Sequence, residues 1–224
     1  MSAHGLFVTG TDTGIGKTFA SVALLRALRA RGLRASGMKP VASGCEATPA
    51  GMRNEDAEAL LAASEPAPAY ADCNPHAFEP AIAPHLAARE AGVEIALAPV
   101  RDAYRRIAAA TDRVVVEGVG GWAVPLSSTL MQVDLVRALE LPVVLVVGLR
   151  LGCLNHAVLS ARAIAADGCR LAGWIANRID PAMERAEENL AELRTRIGAP
   201  LLGVLPYARD ARRPVPAALD LDGF

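Results

Sequence analysis

The sequence carries no surplus of charge of either sign. Its 23 basic and 24 acidic side chains leave a formal net charge of −1, which argues against nucleic acid or an anionic membrane as the main partner. Two small basic clusters, one of Arg26, Arg29, Arg31 and Arg34 and one of Arg209, Arg212 and Arg213, read as solvated faces. No C-x-x-C pair is present, and Cys45, Cys73, Cys153 and Cys169 follow no regular spacing. Neither a zinc site nor a disulfide framework is expected, and free, mostly buried thiols in a reducing cytosol are. No run of 18 apolar residues occurs and no apolar stretch of signal length opens the chain, so neither a membrane-spanning helix nor a secretory leader is expected. A cytoplasmic, alanine-rich protein is expected. Its 224 residues fit one domain spanning 1–224 that buries roughly 70–75% of its unfolded surface.

What is present begins with Gly10-Thr11-Asp12-Thr13-Gly14-Ile15-Gly16-Lys17-Thr18. It follows the apolar run Leu6-Phe7-Val8 and opens an apolar-periodic segment from Phe19 to Ala30, so its context is strand, glycine-rich turn, helix. Glycines let several backbone N–H groups converge on one point, and the helix adds the positive end of its dipole there. Lys17 can then reach a terminal phosphate and the Thr18 hydroxyl can ligate Mg²⁺. The usual spacing is G-x-x-x-x-G-K-[ST]; Gly10 lies one residue too far from Gly16 for it.

Downstream, the pattern predicts a strand over Leu33–Met38 that ends at Lys39-Pro40. That puts Lys39 at the carboxyl end of a strand, the edge where open α/β sheets bind ligands. A loop follows from Ser43-Gly44 to Arg53, then a short helix from Ala57 to Leu61. Asp56 in its first turn either complements the helix dipole or ligates Mg²⁺. Residues 66–84 hold five prolines, too many for helix or central strand, and read as an ordered excursion or lid. His85 opens a short helix after it, and reads as a surface residue or as one that faces substrate. A longer helix covers Pro99–Ala110.

Arg113-Val114-Val115-Val116-Glu117-Gly118 reads as a strand buried on both faces that closes in a carboxylate and a glycine turn. After a GKT loop, such an acid is where Mg²⁺ or its water shell is held. Helices are expected at Leu130–Leu139, Ala157–Ala166 and Pro181–Ile197. Strands are expected over Pro142–Gly148, Leu171–Ala176 and Leu201–Leu205, with an irregular tail from Ala208. Asn177 at a strand end either reads a base edge or forms a turn. The alternation predicts a doubly wound α/β domain of the phosphate-loop NTPase kind, with a mainly parallel sheet and its ligands at the carboxyl edge.

Taken together, Phe7–Thr13, Gly16-Lys17-Thr18, Lys39–Gly44, Val116-Glu117-Gly118, Leu151–His156 and Ala172–Asn177 closely resemble the dethiobiotin synthetase family, from Phe7 to about Tyr207. The extra loop residue is a habit of that family. The resemblance implies an ATP-dependent cyclo-ligase that makes dethiobiotin from 7,8-diaminononanoate and CO₂. Lys39, Lys17 and Thr13 would be its catalytic residues. ATP would contact Gly14, Ile15, Gly16, Lys17, Thr18, Phe19, Asp56, Glu117, Gly118, Val119, Gly120, Asn177, Arg178, Pro206, Tyr207 and Ala208. Thr18, Asp56 and Glu117 would hold Mg²⁺. Ser43 would bind substrate, and so would Leu151, Gly152, Cys153, Leu154 and Asn155, the last five from the second subunit of a homodimer. Two positions depart from well-known members: Gly14 replaces a glutamate and Val119 an alanine. The rival reading is a partitioning-type ATPase switch that acts on a protein partner, but its loop needs a lysine where this chain has Asp12.

Overall fold

A computed structural model of the chain describes residues 5–208 and 219–222. In chain order the elements are β1 (Gly5–Gly10), α1 (Lys17–Ala30), β2 (Ala35–Met38), β3 (Val41–Ser43), β4 (Glu46–Thr48), β5 (Gly51–Arg53), α2 (Glu55–Ala63), α3 (Tyr70–Cys73), β6 (His76–Phe78), α4 (Pro84–Glu90), α5 (Leu97–Ala110), β7 (Arg113–Glu117), α6 (Gln132–Leu139), β8 (Val143–Leu149), α7 (Cys153–Ala166), β9 (Leu171–Arg178), α8 (Ala186–Arg196) and β10 (Leu201–Leu205). Six strands form one sheet in the order β10-β9-β8-β1-β7-β2, and every pairing in it is parallel. The chain crosses to the other side of β1 between β7 and β8, so β1 marks the switch in strand order. The crevice at its carboxyl end is therefore where a ligand fits.

Continuous apolar strands form here because each face of the sheet has its own helical cover. On one face Phe7, Val114, Val116, Leu145 and Val147 join Ala103, Ile107, Leu135, Ala157, Ile164 and Leu193 from α5 to α8. On the other, Leu6, Val8, Val115, Val144 and Val146 meet Leu24, Leu25 and Leu28 of α1 and Leu60 of α2. Burying each of the Val, Leu, Ile and Phe side chains among these stabilises the fold by about 1.5–3 kcal/mol. No helix among the described residues is long and apolar enough to cross a membrane.

Several expected boundaries shift. The loop predicted from Ser43 to Arg53 contains the antiparallel hairpin β4–β5, whose residues are exposed or half-buried and so carry no apolar alternation. The proline-rich excursion holds α3 and β6, and β6 pairs in parallel with β3 outside the main sheet. Helix α7 starts at Cys153, so residues expected as a turn form its first turn. Helix α8 starts at Ala186 rather than Pro181. Cys45, Cys73, Cys153 and Cys169 are all free, and the first three are buried. In the first basic cluster Arg29 pairs with Glu65, Arg31 with Asp222 and Arg34 with Asp112, as solvated charges do. The second, Arg209, Arg212 and Arg213, lies outside the described residues.

Candidate active site

The glycine-rich loop turns directly into α1. Gly16, in the left-handed region at φ 83°, is the N-cap, and no side chain caps the helix. The first-turn N–H groups of α1 therefore stay free to meet an anion. Lys17, on that turn, donates from Nζ to the Asp12 carbonyl at 3.0 Å. Lys39 follows β2, and Glu117 ends β7 beside it. The register pairs Val8 with Glu117 and Met38 with Val116, which brings the loop, the lysine and the acid to one sheet edge.

These groups form a connected cluster. Lys39 Nζ donates to Glu117 Oε1 at 2.7 Å, to Asp56 Oδ2 at 2.9 Å and to the Gly118 carbonyl at 3.2 Å. Thr18 Oγ1 donates to Glu117 Oε1 at 2.8 Å. Lys39 is 3% exposed and Glu117 is 0% exposed. Burial pushes the Lys39 ammonium down, but Glu117 and Asp56 outweigh it and hold it above its ordinary value. Burial likewise raises the Asp56 carboxyl, and Lys39 reverses that to a net lowering. Lys17 goes the other way. Burial first, then the Lys39 charge, lowers it to about 8 against the pull of Glu117, Asp56 and Asp12.

A cavity of about 850 Å³ opens over this cluster, lined among others by Thr13, Gly14, Gly16, Lys17, Thr18, Phe19, Lys39, Ser43, Asp56, Glu117, Val119 and Gly120. Residues 81–85 line it as well, so the proline-rich excursion does border the site. His85 lines it, with Nδ1 buried and without a hydrogen-bond partner. Next to it a smaller cavity, about 200 Å³, is lined by Gly14, Gly16, Phe19, Asn177, Arg178, Ile179, Tyr207 and Ala208. Asn177 Nδ2 donates to the Ile15 carbonyl at 2.8 Å, which ties β9 to the loop. Ile15 is buried at 1% exposure and supplies that carbonyl. Pro206, Gly118 and the segment Leu151–Asn155 line neither cavity.

The oxygen donors fit a small hard dication: a hydroxyl from Thr18 and carboxylates from Asp56 and Glu117. Glu117 Oε2 is buried with no hydrogen-bond partner, an orphaned acceptor of the kind an ion satisfies.

Four supporting residues escaped the sequence reading. Asn54 caps α2, its side chain accepting from Asp56 N at 3.1 Å and Ala57 N at 3.2 Å. An asparagine just before an acidic helical turn is a legible cap signal. Gln132 holds the glycine turn, accepting from Val119 N and donating to the Gly121 carbonyl, both at 2.7 Å. Asn74 donates to the Lys39 carbonyl at 2.7 Å. The Tyr70 hydroxyl accepts from Asn54 N at 2.8 Å. The last three bond across the fold and leave no local signal.

A family profile described as an AAA domain matches residues 4–215. The protein named ATP-dependent dethiobiotin synthetase BioD in Xanthomonas oryzae pv. oryzae is 62% identical over 211 residues, covering 94% of this chain and 94% of its own. The protein of that name in Xylella fastidiosa is 61% identical over 221 residues, covering 99% of this chain and 98% of its own. Among solved structures, the MinD cell division protein of Aquifex aeolicus is 16% identical with a TM-score of 0.56, covering 92% of this chain and 83% of its own. A ParA family ATPase of Chlorobium tepidum is 14% identical with a TM-score of 0.56, covering 92% and 86%. At such low identity the likeness to these two is one of fold.

Proposed function

Because this chain belongs to the ATP-dependent dethiobiotin synthetase family, we propose that it closes the ureido ring of dethiobiotin from 7,8-diaminononanoate, CO₂ and ATP. The observation that carries the reading is a second cation beside the phosphate loop: Lys39 lines the same cavity as Lys17. One amine of the substrate adds to CO₂ and loses a proton, giving a carbamate. The carbamate oxygen attacks the γ-phosphorus, and ADP leaves. The second amine attacks the carbonyl carbon of the resulting carbamic–phosphoric anhydride, and phosphate leaves as the ring closes.

The protein's part is positioning and charge neutralisation. Lys17 and the free N–H groups of the loop hold the terminal phosphates. Lys39 faces the carbamate, with Thr13 and Ser43 as hydroxyl partners for the reacting end. Thr18, Asp56 and Glu117 would hold Mg²⁺, which would supply positive charge against the phosphates of ATP. The smaller cavity suits the adenine ring between Phe19, Tyr207 and Ala208. Asn177 spends one amide hydrogen on Ile15, leaving a second N–H and its carbonyl for the base edge. Gly14 sits between the two cavities at φ 73°, with no atom within 4 Å of where a Cβ would stand.

The test is ADP release with Mg-ATP and bicarbonate, with and without 7,8-diaminononanoate. Release that depends strongly on the diamine, with dethiobiotin accumulating in step by mass, is expected. Release indifferent to the diamine would leave a phosphate-loop ATPase and return the question to a protein-partner switch.

We extend the reading to a cytoplasmic two-fold homodimer in which Leu151–Asn155 of one subunit meet the substrate carboxylate held by the other. Leu151 is 94% exposed and Leu159 of α7 is 55% exposed, large apolar side chains that a partner surface would cover. Gly152 caps α7 without a side-chain bond, leaving N–H donors for an anion. Leu151→Asp is expected to shift sedimentation toward the monomer and to raise the KM for the diamine about tenfold, one lost contact of ~1.4 kcal/mol. A variant that stays dimeric with an unchanged KM would remove the segment from both roles.

A further inference from the structure

Lys39 is held at both ends of one closed circuit of hydrogen bonds. From its ammonium the path runs to Asp56 Oδ2 at 2.9 Å. The backbone N–H of Asp56 is capped by Asn54 Oδ1 at 3.1 Å. The backbone N–H of Asn54 donates to the Tyr70 hydroxyl at 2.8 Å. That hydroxyl donates to Asn74 Oδ1 at 3.2 Å, and Asn74 Nδ2 donates to the carbonyl of Lys39 at 2.7 Å. A second tie runs from Lys39 N to the Cys73 carbonyl at 2.7 Å.

Apart from the Lys39–Asp56 pair itself, Tyr70 is the member of this path that joins the two sides, and a weaker bond runs beside it from Cys73 Sγ to the Ala57 carbonyl of α2 at 3.8 Å. On one side stands the start of α2, which carries Asp56, and on the other the turn after β2, which carries Lys39. A phenol does this because one oxygen both accepts and donates. The ring is itself held, with the Arg53 guanidinium carbon 4.0 Å from its centroid. Without the hydroxyl, the Asn54 N–H and Asn74 Oδ1 each lose a partner, and the approach of Asp56 to Lys39 is left to the pair itself and to the longer Cys73 tie.

The geometry points to Tyr70 as a positioning residue of the reaction, one that sets Lys39 against Asp56 through Asn54 and Asn74 and touches no substrate itself. This rests on the role given to Lys39 above. A loosened pair need not lower ATP affinity, which the phosphate loop supplies, but it misplaces the ammonium in the transition state.

Tyr70→Phe in the full chain is the test, because it keeps the ring and the Arg53 stack and removes only the oxygen. Expected is a fall in kcat of about tenfold, the ~1.4 kcal/mol of one hydrogen bond, with the KM for ATP within about twofold of the parent. Asn74→Asp keeps the acceptor for the phenol but removes the donor to Lys39, and it should show the same split. It also serves if Tyr70→Phe does not fold, and thermal melting of each variant establishes that the protein assayed is native. A lowered melting temperature with kcat unchanged would make the circuit merely structural and overturn the proposal, as would a raised KM for ATP at unchanged kcat. If Lys39→Gln leaves kcat at the parent level, the role of Lys39 falls and the proposal with it. If Lys39→Gln abolishes turnover while Tyr70→Phe does not reduce it, only the circuit falls.

Discussion

Replacing Lys39 by alanine is expected to abolish turnover while ATP still binds. A unit charge 4 Å from a developing anion contributes about 4 kcal/mol at an effective dielectric of 20, which corresponds to about a thousandfold in rate. Nucleotide affinity survives because the loop N–H groups and Lys17 are untouched. The alanine has a second consequence. It strips Glu117, 0% exposed, of its 2.7 Å partner, and an unpaired buried charge costs about 3–5 kcal/mol of stability. Lys39→Gln separates the hydrogen bond from the charge, since the amide can still donate to Glu117 but carries no charge. Both variants should lose kcat about equally and both should melt earlier than the parent, the alanine more so because the glutamine keeps a hydrogen bond to Glu117. Steady-state kinetics, ATP titration calorimetry and thermal melts decide it. Turnover within tenfold of the parent in the glutamine variant would take the charge of Lys39 out of the chemistry.

Gly16→Ala is expected to cost the site its nucleotide. At φ 83° an L side chain is strained wherever it points, by about 1–2 kcal/mol. A Cβ there would also collide with the Asn177 amide nitrogen, the group that holds the Ile15 carbonyl at 2.8 Å. Either the amide swings away and frees the loop, or the loop rotates and its N–H groups no longer converge. Calorimetry should register a fall in ATP affinity of about a hundredfold or more, ~2.7 kcal/mol. Adding Asn177→Ala removes the collision but not the strain, so the double variant should bind ATP better than Gly16→Ala alone. If the two losses simply add, the collision is not the cause.

How much of this was legible in the sequence follows from the range of each interaction. Val114 to Glu117 announced a buried strand closing in an acid because the signal lies within a few consecutive residues. Gly14, Gly16 and Lys17 did the same for the loop. Lys39 was placed correctly because Pro40 ends the strand ahead of it. The exposed hairpin β4–β5 was missed because strands without a buried face have no apolar pattern to read. Tyr70 read as one more apolar residue among prolines, yet its hydroxyl serves backbone 16 residues away at Asn54. Gln132 and Asn74 are alike in this: a polar side chain that braces distant backbone is written in no local spacing. Asp56 stood undecided between a helix dipole and a metal, and only its 2.9 Å approach to Lys39 distinguishes it from an ordinary first-turn acid.

The position of β1 in the middle of the sheet bears on how the protein is made. β1 pairs with β7 on one side and β8 on the other, so the strand that carries the phosphate loop has no neighbour until about 105 further residues have followed it, and is flanked on both sides only after about 135. At roughly 5–20 residues per second on the ribosome, the loop waits some 7–30 s before both of its flanking strands exist. Partners this distant in sequence also make for slow refolding. The nucleotide can therefore recognise only the finished sheet, and ATP added to a refolding mixture acts on the end point. It stabilises the completed fold by mass action without hastening the steps that lead to it.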